Sequence, residues 1–192
     1  MRTAVVLLAC LGLPHALLGQ PADAERPDLD VAEYTPAGEL VFPADVAEWI
    51  HLGSAIGHGY ADEQAQERTF APDDPGTIHI VQIEPAAYRY FLEHKHYADG
   101  TMLLLSFYRT MAAPDPDLNG FTQGDLAARE IHVLDRARFA DERAFFLFDP
   151  VARSSPMVPA GNECVTCHAE HGAYDSTFTQ FYPLLRELLP AP

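Results

Sequence analysis

Residues 77–110 read TIHIVQIEPAAYRYFLEHKHYADGTMLLLSFYRT, two strands with a helix between them. Thr77–Glu84 is β-branched and apolar, a strand by composition. Pro85 then opens a helix that runs to about His94 and carries Tyr88, Phe91 and Leu92 on one side, since proline suits the first helical position. Asp99-Gly100 marks a turn. Thr101–Thr110 is an apolar run long enough for a largely buried strand. The same reading extends outward: Arg129–Leu134 and Arg143–Asp149 are two further strands, joined by a short helical turn at Asp135–Ala140. Upstream, Pro43 to Gly53 predicts a helix with proline at its start, glycine at its end and Val46, Trp49 and Ile50 on its apolar face. Residues 53–76 and 112–124 read as loops. Pro150–Asn162 is irregular, and Tyr174–Leu189 predicts a helix kinked or restarted at Pro183. No repeat and no second domain is visible. The fold expected is α+β, a mostly antiparallel sheet with helices packed against it.

Residues 1–24 read as a secretory signal peptide. Arg2 supplies the positive start, Ala4–Leu18 the apolar run, and Ala22-Asp23-Ala24 a small-residue cleavage site. The run is shorter than the roughly 20 residues a membrane span needs. Residues 25–37, rich in Pro, Asp and Ala, predict a flexible arm, and residues 38–192 the folded domain. An exported, periplasmic chain is expected. The formal net charge is −16, and removing residues 1–24 leaves it unchanged, because Arg2 and Asp23 cancel. So acidic a surface argues against nucleic acid and anionic membranes as partners.

The chain has three cysteines, and Cys10 leaves with the signal. The other two stand in Cys164-Val165-Thr166-Cys167-His168, the attachment signature of c-type haem. Both thiols can form thioethers to the haem vinyl groups, and His168 is then the iron ligand. Zinc would use Cys164, Cys167 and His168 or His171, but structural zinc usually takes two ligand pairs and no second pair exists here. A thioredoxin-type motif expects a βαβ unit before it, where this sequence has a Pro- and Ser-rich loop. An ordinary packed helix that carries CxxCH by chance is the remaining alternative. Only 24 residues follow His168, with no methionine among them, so a carrier with a downstream axial methionine is not expected.

The chain resembles the cytochrome P-460/cytochrome c′-beta family from about Gly38 to Leu189. The resemblance rests on Gly38-Glu39-Leu40…Pro43…Trp49…Gly53, Ile80–Tyr88, Asp99-Gly100-Thr101, Val133–Phe139, CVTCHAEH and Asp175–Arg186. It implies a β-rich α+β fold, a homodimer, and one haem c with His168 as proximal ligand. The family holds two chemistries. In P-460 proper, a lysine on the strand after Asp-Gly-Thr is cross-linked to the macrocycle, and the protein oxidises hydroxylamine. In cytochrome c′-beta that lysine is absent, the distal pocket is apolar, and five-coordinate iron binds NO or CO. Counting from Asp99-Gly100-Thr101 puts Leu105 at the cross-linking position. The lone lysine, Lys95, lies ten positions away. The resemblance therefore implies a gas-binding protein of the c′-beta kind. A hydroxylamine or NO oxidoreductase and a six-coordinate electron carrier are the alternatives.

The distal side is less legible. His79 stands where P-460 members carry an arginine, and is a candidate hydrogen-bond donor, proton shuttle or sixth ligand; the alternative is a strand histidine facing solvent or a partner subunit. Phe107 shares a strand face with Leu105 and is a candidate for the haem wall, with Phe70, Phe121, Phe145, Phe146 and Phe148 also in view. Met157 is a candidate distal ligand or a gap-filler. His94 and His96 read as solvated, His132 as lying on the polar face of its strand, and His171 as capping or solvating a helix end.

Overall fold

The computed structural model describes residues 28–57, 76–112 and 119–189. The expected signal peptide, the loop containing Phe70 and the Pro-Asp-Pro-Asp segment lie outside the described residues. Five strands form one antiparallel sheet in the order β2-β3-β4-β5-β6: Ile50–Ile56, Thr77–Ile83, Thr101–Ala112, Phe121–Leu134 and Arg143–Phe148. A two-stranded ladder pairs β1 (Leu40–Val41) with β7 (Ser154–Ser155). Helices are few: α1 (Pro85–His94), α2 (Glu163–His171) and the single turn α3 (Pro183–Arg186).

The segment from β3 to β4 folds as its sequence predicts. Pro85 takes the first turn of α1, and the Glu84 carboxylate accepts from the Ala87 N–H at 2.8 Å, satisfying one of the helix's orphan donors. The helix ends on Lys95 in the left-handed region, φ 62°. Gly100 turns the chain at φ +77°, and a Cβ there would meet Asp28 Oδ1 at 2.8 Å. Glycine is required at that turn on both counts.

The loops expected at 53–76 and 112–124 give up 53–56 to β2 and 121–124 to β5, and three larger expectations fail on tertiary grounds. Pro43–Gly53 is not a helix: a 3-10 turn at Val46–Glu48 is followed by β2, whose residues pair with β3. Gly53 has a packing role there, since a Cβ would lie 3.1 Å from Tyr182 Cδ1. Tyr174–Leu189 is a turn, a 3-10 segment at Thr179–Phe181 and α3, instead of one kinked helix. Residues 28–37 do not hang as a loose arm. Asp28 bridges to Asp99, the Leu29 N–H donates to the Asp99 carbonyl at 2.9 Å, and Val31, Ala32 and Tyr34 pack on the core.

Alternation along the strands gives the sheet two apolar faces. Leu40, Trp49, Met102, Leu104, Ile131, Val133, Phe146 and Phe148 form one core. Leu52, Val81, Ile83, Phe91, Tyr97, Leu103, Leu134 and Leu185 form the other, under α1 and α3. α2 and the chain after it lie on the second face, and the candidate site is there.

Candidate functional site

The Asn162 side chain starts α2 by accepting from the Cys164 N–H at 2.9 Å. One turn of helix then sets Cys164, Cys167 and His168 toward the sheet, because residues three and four apart share a face. The two cysteines are half-buried and not joined in a disulfide.

His168 meets three rings: Phe145 at 4.7 Å, Phe178 at 4.7 Å and His132 at 5.3 Å between centroids. Its Nδ1 lies 2.8 Å from the Ser176 carbonyl oxygen. A carbonyl only accepts, so Nδ1 carries the proton and Nε2 keeps the lone pair. Nε2 faces Glu130 Oε1 at 3.9 Å. Burial pushes the His168 pKa down, which keeps the ring neutral and able to ligate.

The sheet presents this face as cross-strand rungs about 7 Å apart, two residues at ~3.4 Å rise. The first rung runs Ile83, Leu103, His132, Phe145 and touches His168. The second runs Val81, Leu105, Glu130, Leu147. The third holds His79, Phe107 and Ala128. Leu105, Phe107 and His79 therefore share the face of His168, with Leu105 directly opposite Glu130. His79 is farther off, its Nε2 2.8 Å from Thr77 Oγ1 and its ring packed edge-on against Phe107 at 4.8 Å. Lys95 is remote from these rungs: it caps α1, and its ammonium donates to the Leu92 carbonyl. Met157 is half-exposed beyond the edge strand β6, bridged to Phe146.

Two polar residues of this face were not anticipated as site residues. Glu130 is 5 % exposed, and burial raises its pKa although the Cys164 thiol donates to it. His132, expected on the polar face of its strand, is 4 % exposed and stacked on Phe145 at 4.2 Å, with Nε2 buried and without a hydrogen-bond partner among the described residues. Desolvation pushes its pKa well down, aided by His168 and Arg143. The sheet face that carries Leu105 and Phe107 thus has a buried carboxyl in it. His96 also departs from expectation: it is buried, with Nδ1 3.3 Å from the Tyr97 carbonyl, whereas His94 and His171 are exposed.

These residues fit a haem better than a bare ion. Among the described residues, no three His, Cys, Asp or Glu side chains converge as a metal-ion site, so zinc has no donor set. One neutral imidazole with a fixed tautomer suits a group that brings four nitrogens of its own. A desolvated carboxyl and an orphaned imidazole nitrogen beside it are polar atoms that such a group could cover.

A family model described as Cytochrome P460 matches residues 57–179, more than half of the chain. No curated protein matches it. The matched region takes in β3 to α2 and every residue placed above on the three rungs, and the chain belongs to the cytochrome P460 family of haem proteins.

Proposed function

We propose that this chain is an exported haem c protein, loaded through Cys164 and Cys167 and ligated by His168, that binds a small neutral gas such as NO or CO. When bound, the haem would supply the iron to which a diatomic ligand attaches. The observation that carries the reading is the His168 axis. Its Nδ1 is committed to Ser176, and the polar side chain facing Nε2 is a carboxyl rather than a second imidazole or a thioether. His79, two rungs beyond the residues touching His168, and Met157, half-exposed past β6, are poorly placed as sixth ligands.

The residues around the axis divide the work. Phe145 and Phe178 exclude water from His168 and hold its plane. Leu105 fills the second rung without a nucleophile, so the macrocycle stays unmodified. Phe107 and His79 wall the third rung. Glu130, whose pKa burial raises, is the carboxyl on this face within reach of a neutral ligand beside the His168 axis. The periplasmic location and the homodimer belong to the same proposal.

Spectra of the haem-loaded protein in ferric, ferrous and ferrous-plus-NO states test it. High-spin five-coordinate ferrous haem that takes up NO is expected. A ferrous form that is low-spin and six-coordinate without added ligand would overturn the reading.

Glu130 also favours a second reading, oxidation of hydroxylamine or NO. A buried carboxyl with a raised pKa next to the ligating axis is what a general base requires. That reading predicts turnover of hydroxylamine with an artificial electron acceptor, falling about 100-fold or more in Glu130→Gln. Absence of turnover in the wild type excludes it.

A further inference from the structure

The carbonyl that holds His168 belongs to an unusual turn. Tyr174 and Thr177 pair across it, the Thr177 N–H donating to the Tyr174 carbonyl at 2.8 Å. Its two central residues, Asp175 and Ser176, have φ of 49° and 53°. Turns with both central residues left-handed usually hold Asn-Gly or Asp-Gly, and here neither is glycine. The conformation points the Ser176 carbonyl at His168 Nδ1. Gly172 leaves room for it, since a Cβ there would lie 2.7 Å from Ser176 Cα and overlap the His168 carbonyl.

A line of hydroxyls backs the turn. Thr177 Oγ1 donates to the Tyr174 carbonyl at 2.6 Å. Having one proton, it must accept from Thr179 Oγ1, its other partner. Thr179 therefore accepts from the Tyr97 hydroxyl, 2.7 Å away. Tyr97 and Thr179 are fully buried, and Thr177 is 2 % exposed. The direction of every proton is fixed from the core outward, and such chains strengthen each member.

We propose that Tyr97, Thr179 and Thr177 are positioning residues for His168. They lock the Ser176 carbonyl onto Nδ1 and so set the donor strength of Nε2 toward the haem iron. The inference rests on the haem reading above. An Nδ1–H held by a well-ordered acceptor makes imidazole a stronger donor. A stronger donor stabilises the ferric state and lowers the midpoint potential.

The test compares the full-length haem-loaded wild type with Thr177→Val, Thr177→Ser and Tyr97→Phe, by resonance Raman of the ferrous iron–histidine stretch and by redox titration. Thr177→Val is expected to lower the stretching frequency and raise the potential. Tyr97→Phe, which keeps the ring and its packing, shifts both the same way by less. Thr177→Ser, which keeps the hydroxyl, stays at wild type. Wild-type values in both Thr177→Val and Tyr97→Phe overturn the proposal. A Thr177→Ser shift as large as that of Thr177→Val also overturns it, because the methyl and not the hydroxyl would then matter. If Thr177→Val does not fold, Tyr97→Phe decides by itself. A wild type with no iron–histidine band fails the haem reading instead, and the inference with it.

Discussion

Tyr34 shows how burial and hydrogen bonding separate at one side chain. Its hydroxyl is buried without a hydrogen-bond partner among the described residues, while Arg138 sits 3.5 Å above its ring. An unpartnered buried hydroxyl costs about 1–3 kcal/mol, so Tyr34→Phe is expected to leave stability unchanged or raise it by about 1 kcal/mol in urea unfolding. Burial chiefly raises the Tyr34 pKa to about 12 from 10. Above pH 10 the unfolded state releases a proton that the folded state keeps, and the wild type loses stability as pH rises toward 12. Tyr34→Phe should flatten part of that alkaline limb, and a variant with an unchanged limb would contradict the assignment. At the same scale, Cys164, Cys167 and His168 were legible because attachment chemistry fixes their spacing. Glu130 and His132 were not. Their alternation with Ile131 and Val133 was visible, but a polar face turned toward a bound group has the same pattern as one turned toward water. Leu105 was placed opposite nothing in particular; only the strand register reveals Glu130 across from it.

Among the elements, β3, α1 and β4 matched their reading because local signals and tertiary demand agree there. The Asp99-Gly100 turn depends on that agreement. Gly100→Ala has to place a side chain at φ +77° and displace Asp28, which should cost about 1–3 kcal/mol and lower the urea midpoint without changing the slope. The Pro43–Gly53 reading failed for the opposite reason. Proline and glycine flank a helix-like pattern, but β3 offers Ile50–Ile56 a ladder interrupted only between His51 and Gly53, and pairing outweighs weak helix propensity. The last stretch also departs from its periodicity, since Thr177 and Thr179 turn inward to meet Tyr97 instead of continuing a helix.

For the molecule as a whole, one sheet divides two cores, and its central strands β4 and β5 contribute to both. The cores should therefore melt together. Leu104→Ala in one and Phe91→Ala in the other, 1 % and 0 % exposed, are each expected to cost about 2–5 kcal/mol and to shift the same single transition. Two separable transitions in either variant would show that the sheet does not couple them. The charge of −16 adds a global term: self-repulsion should ease as salt screens it, so melting temperature should rise between roughly 10 and 150 mM salt, where the Debye length falls from about 30 to 8 Å.

The Asp175–Ser176 turn has a further consequence, one of time. Two left-handed, non-glycine residues cost about 1–3 kcal/mol each, and that cost is relieved by opening the turn alone, with the sheet intact. The Thr177 amide should therefore exchange with solvent sooner than the amides of β4. How long His168 keeps its heading would be set by the lifetime of four residues, not by that of the fold.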